Sequence, residues 1–195
     1  MAKCAQIKSE HRSEAVLTGS TKGQVNHIFK HSGINQIGTS KHEARAQIRN
    51  DLKAAGEDTS KHNLAKEDGI HGNSTRDAYI KIWREFLEDQ KAENGKADAD
   101  KLTADDVERF LAEKIDQGLS RRYVQKVCSA LEKFETALNG LANREGRPAT
   151  HDWQNALQEA RDRAVKELDK ERFDRSFRDP KALIDAIRRN DHQLV

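Results

Sequence analysis

The chain is 195 residues long, 35% hydrophobic and 35% charged, a balance that excludes thick buried sheets and leaves narrow apolar stripes on helices to build the core. Its formal net charge of +2 announces no nucleic-acid partner, but distribution matters more than the sum. Residues 1–73 carry 11 basic and 8 acidic groups, 74–118 carry 8 and 12, 119–147 carry 6 and 3, and 148–195 carry 10 of each, so the basic excess falls on the N-terminal arm and on the segment that starts at Ser120.

Two prolines and abundant Ala, Lys, Glu, Arg and Leu favour helix throughout. Cys4 and Cys128 stand far apart and form neither a disulfide framework nor a CxxC metal site, so a reducing cytoplasm is the expected setting and no cofactor or metal is called for. No run approaches the roughly 18 apolar residues of a membrane span, and the polar N-terminus has no signal-peptide apolar region.

In chain order, the first 20 residues lack sustained periodicity and are expected to fray. A short helix is predicted from Thr21 through Val25, Ile28 and Phe29 to the turn His31-Ser32-Gly33. Ser40 with Glu43 three residues on has capping-box spacing and opens a second helix, with Ala44, Ile48 and Leu52 on one stripe and Gly56 as its stop. Residues 57–73 are polar, glycine-bearing and without a period, and read as a linker or mobile loop.

Three helices then carry most of the apolar surface. Ser74 is expected to cap the first, whose Tyr79, Ile82, Trp83, Phe86 and Leu87 form a broad face closing at Asn94-Gly95. Thr103 opens the second with Asp106 at the capping-box position, and Val107, Phe110, Leu111 and Ile115 line its inner side. Ser120 caps the third, with the longest stripe: Val124, Val127, Cys128, Leu131, Phe134, Leu138 and Leu141. After a breaker at residues 143–150, Trp153, Leu157, Ala160, Ala164 and Leu168 recur at helical spacing, and Asp179-Pro180 begins a last helix. No alternating strand pattern appears, so the expected class is all-α. The boundaries are an arm and linker over 1–72, a central bundle over 73–147 and a helical extension over 148–195.

The order of features from Ser74 to Leu141 resembles the SAM-like core-binding domain of tyrosine recombinases and phage-type integrases. The resemblance rests on Thr75, Tyr79, Trp83 and Phe86; on Leu102, Thr103, Asp106, Val107, Phe110 and Leu111; and on Gly118, Ser120, Val124, Ser129, Ala130, Leu131, Lys133 and Phe134. It covers roughly a third of the chain. The run Gly38-Thr39-Ser40-Lys41-His42 and the closing segment 179–195 are similar to the arm and inter-domain segment of integrases from mobile elements.

This resemblance implies a module that grips double-stranded DNA in site-specific integration or recombination, alongside other recombinase subunits. It implies that the helices led by Ser74 and Ser120 face the duplex. The DNA-contacting candidates are then Thr75, Arg76, Lys81 and Arg84 on the first, and Ser120, Arg121, Arg122, Gln125, Lys126, Ser129 and Lys133 on the second, with the acidic Thr103 helix turned away. Phosphate contacts would supply most of the affinity and a few polar side chains the sequence preference.

No catalytic residue is assigned. The family's arginines, lysine, histidines and tyrosine nucleophile find no counterpart here, so the expectation is a binding portion, inactive alone, whose catalytic half is absent or lies beyond Val195. Tyr79 and Tyr123 lie on or beside apolar stripes and read as packing or phosphate-contacting groups, and the HxxR at His42–Arg45 is a chance spacing. His27 and His31 lack a third metal ligand at suitable spacing. A second reading stays open: a helical interaction or regulatory module that keeps the fold and binds protein.

Overall fold

The computed structural model describes Leu17 and residues 19–168, and among these every regular element is helical. Seven α-helices follow in order: α1 Thr21–His31, α2 Lys41–Ala54, the single turn α3 Leu64–Glu67, α4 Asn73–Asn94, α5 Ala104–Asp116, α6 Arg121–Arg144 and α7 Gln154–Leu168. Short 3₁₀ turns lie at Thr59–Lys61 and Ala99–Lys101. The last helix expected from Asp179-Pro180 onward and the closing segment lie outside the described residues.

Local chemistry sets the helix starts. Ser20 and Ser40 accept from the N–H groups of Gly23 and Glu43, and Ser120 Oγ accepts from Tyr123 N–H at 3.3 Å. Thr103 and Asp106 complete a reciprocal capping box. At α4 the sequence expectation fails: the helix begins at Asn73, its N-cap is Gly72, and no side chain caps it. Ser74 sits inside the first turn, where its hydroxyl lies beyond the N-cap geometry.

One core unites the elements. Trp83 stacks on Phe134 with centroids 4.8 Å apart, and its Nε1 donates to Ala130 O at 2.7 Å. Phe86 packs against Phe110 and meets Trp153 edge-on. Both tryptophans are core anchors, as expected from their stripes. Helix α7 lies across α5 and α6, α4 packs on α6, and α1 packs on α4 and α6. Burying these aromatic and aliphatic faces stabilises the bundle by about 1.5–3 kcal/mol per large side chain.

The arm belongs to this core. Leu17, Val25, Ile28, Phe29 and Ile34 are buried in the same cluster as the central helices. Gln24, itself buried, donates to Gly19 O and Ala97 O and accepts from Ala99 N–H, which ties α1 to the turn before α5.

Residues 57–73, expected as a linker or mobile loop, form the 3₁₀ turn and α3 and pack into the fold at Asp68 and Ile70. Ile70 is buried, its N–H donates to Ile34 O at 2.8 Å, and its carbonyl accepts from Gln36 N–H at 3.1 Å. Asp68 is buried beside α6. The segment lacks a period because it is pinned by single side chains and backbone pairs rather than by a repeating face.

Candidate nucleic-acid interface

The N-terminal half of α6 projects a polar face away from Val124, Val127 and Leu131, which are buried. Ser120, Arg122, Gln125 and Lys126 are exposed on it, and Ser129 is half-buried with its Oγ donating to Gln125 O. Together with Tyr79 of α4 and Tyr123, these five line an open cleft of about 540 Å³. Five of the eleven residues expected from sequence therefore share one wall. Arg121 is half-buried at the same turn and already engaged in an interaction of its own.

A second depression of about 250 Å³ adjoins the first, and Tyr79 and Ser129 line both. It is bounded by Thr75, by Lys41 and Arg45 of α2, by His71, and by the charged groups Asp68, Glu132 and Lys133. His71 Nδ1 lies 2.9 Å from Thr39 Oγ1, and its Nε2 is buried with no hydrogen-bond partner among the described residues. Sequence reasoning missed His71, Lys41 and Arg45 as neighbours of the core helices. The only local signal is that His71 stands two residues before the start of α4.

The remaining candidates fall elsewhere. Arg76 is half-buried and paired with Asp77 at 2.8 Å. Lys81 and Arg84 are exposed on α4, but neither lines the cleft or the adjoining depression.

Lys133 is a correction. Its side chain is buried, and Nζ donates to Asp68 Oδ1 at 3.0 Å, to Lys66 O at 3.0 Å and to Asp68 O. It stands seven residues beyond Lys126 on the same side of α6, and there residues 66–68 cover that side. Its charge is consumed inside the fold and is not available to a phosphate. Arg45 of the HxxR spacing has a similar structural task, with Nε 2.5 Å from Asp68 Oδ2.

The electrostatics of the cleft favour an anion. Among the described residues no ion pair forms at Arg122 or Lys126, so both cations face solvent unneutralised. The nearby carboxylates are spent: Asp68 on Lys133 and Arg45, and Glu132 on Arg161 at 3.1 Å. Burial pushes the phenols of Tyr79 and Tyr123 above their ordinary value, with Glu132 and Asp68 adding to the first and Glu85 to the second. Both stay protonated around neutrality, so each hydroxyl has a proton to donate. Acidic helix α5 contributes no residue to either depression. Its Asp106 closes the capping box and its Asp116 pairs with Arg163 at 2.6 Å.

Among the described residues no group of three or more His, Cys, Asp or Glu side chains is arranged to hold a metal, and no helix is long and apolar enough to cross a membrane. His27 and His31 lie with ring centroids 4.5 Å apart. The Cys128 thiol is buried, and that burial pushes it up to about 11. No protein-family model, curated protein or solved structure matches this chain.

Proposed function

We propose that this chain is a module that grips duplex DNA through the N-terminal face of α6, in the manner of the core-binding portion of a tyrosine recombinase or integrase. One observation carries the reading: Ser120, Arg122, Gln125, Lys126, Ser129, Tyr79 and Tyr123 line a single open cleft whose two cations, Arg122 and Lys126, form no ion pair among the described residues. The hydroxyls, the amide and the ammonium and guanidinium groups offer donors at one surface, which suits phosphate oxygens and base edges. The start of the 24-residue helix α6 adds the positive end of its dipole beneath them. In this reading the chain holds DNA, does not cut it, and works beside other recombinase subunits that supply the chemistry.

The test is a charge reversal, Arg122→Glu with Lys126→Glu, assayed by gel retention of a short duplex. The proposal expects retention to be lost while the folded state persists, since neither side chain is buried. Retention equal to that of the unaltered chain would overturn it. Retained DNA binding with failed self-association would transfer this face to the protein-interaction reading.

A further inference from the structure

Helix α2 is an unusual element for a compact bundle: it runs for 14 residues and none of its side chains is fully buried. Ala44, Ile48 and Leu52 are half-buried, and α2 packs mainly on α3 and the turn at Thr59–Lys61. What locks it to the core is a charge relay, Arg45 to Asp68 at 2.5 Å and Asp68 to the buried Lys133 at 3.0 Å. A helix so lightly packed contributes little to the hydrophobic core, yet its place beside α6 is fixed by buried groups.

The polar side of α2 is ordered by charge. Lys41, Arg45, Arg49 and Lys53 follow at four-residue intervals. At 3.6 residues per turn they drift across an arc of about 120° and climb roughly 6 Å per step. Glu43 and Asp51 fall outside that arc, and Asp51 accepts from Gln47 at 2.8 Å. Lys41, Arg49 and Lys53 are exposed, and among the described residues none of the three makes an ion pair. The acids just beyond the helix are engaged: Glu57 and Glu67 with His62, and Asp58 with Ser60 N–H.

This row leads into the candidate interface. Lys41 and Arg45 line the depression that shares Tyr79 and Ser129 with the cleft of Arg122 and Lys126. We infer that α2 is a second row of phosphate contacts, made by Lys41, Arg49 and Lys53, which extends the α6 cleft into one continuous surface for the backbone of a single duplex. The inference rests on the reading of the cleft as a duplex-binding face, and it adds that the arm grips the same DNA as the bundle. The occupant is a polyanion of regular charge spacing, because a row of cations at fixed steps, joined to a cleft of neutral donors, complements a phosphate backbone rather than an isolated anion.

The experiment compares three forms of the full chain on one random-sequence duplex across a salt series: the unaltered protein, Arg49→Ala with Lys53→Ala, and Arg122→Glu with Lys126→Glu. Alanine is the best helix former, so the α2 substitution preserves the helix while removing two cations. The inference expects the α2 variant to bind more weakly, with a log–log salt slope less negative by about 1.8, near 0.9 per lost phosphate contact. An α2 variant that matches the unaltered chain in affinity and slope, while the α6 variant fails to bind, overturns the α2 row and leaves the cleft reading standing. If the α6 variant also binds as the unaltered chain does, the cleft reading itself falls.

Discussion

Lys133 shows how one residue type changes meaning with its surroundings. On the sequence it continues the basic face that begins at Ser120; in the fold it is buried and holds Asp68 and two carbonyls of the segment before α4. Replacement by methionine keeps the bulk and removes the charge, leaving Asp68 buried with Arg45 as its remaining cation. The expected cost is about 1–3 kcal/mol in urea unfolding, for the lost charged hydrogen bonds; a change within error would contradict the structural role. His151 gives a second test at this scale. Burial holds its imidazole below the ordinary value, and Arg147 adds to this, while the contact with Leu102 O and the nearby Asp100 act in the opposite direction. Above about pH 6.5 the ring is neutral in both folded and unfolded chains and its contribution is complete. As pH falls, the unfolded chain takes up the proton first, so stability declines from there down through the folded value. His27, also held low, by burial and then by His31, acts in the same direction. Urea midpoints should therefore be lower at about pH 5.5 than at about pH 7.5, with the difference reduced in His151→Gln. Identical pH dependence in the two proteins would sink this assignment.

At the scale of elements, what sequence revealed was what is encoded locally. The Thr103–Asp106 box, the Ser120 cap and the stripes of α4 to α7 are decided within a few residues, and apart from the start of α4 each of these features stands where its pattern placed it. Residues 57–73 were illegible for the converse reason. Asp68 is buried because Lys133 lies 65 positions away, and Ile70 is ordered because Ile34 offers its backbone. No periodicity could announce either contact. The junction of α1 and α6 is a similar case. Gly140 lies within α6, and a Cβ there would stand 2.9 Å from Ser32 O, at the end of α1. Alanine is the better helix former by about 1 kcal/mol, so propensity alone predicts that Gly140→Ala stabilises. The close approach predicts the reverse, a loss of about 1–3 kcal/mol from overpacking. A higher melting temperature in that variant would show that the two helices separate at little cost.

For the whole molecule, α1, the central helices and α7 share one core. Helix α2 puts no residue into that core and is held beside α6 by the Arg45–Asp68–Lys133 contacts instead. About half of the proposed duplex-binding face was readable from the cations and hydroxyls after Ser120. Its other half depends on how residues 34–36 and 66–70 fold the arm back. The sequence offered no sign that Lys81 and Arg84 of α4 stand outside the cleft, because each helix alone leaves its rotation against its neighbours unspecified. The most direct test of the central claim is the salt dependence of duplex binding by the unaltered chain. With Arg122, Lys126 and the three cations of the α2 row on phosphates, the log of the binding constant should fall linearly with the log of salt between about 50 and 200 mM, with a slope of roughly −4.5. A slope near zero, or no duplex binding even at the lowest salt, would contradict the account.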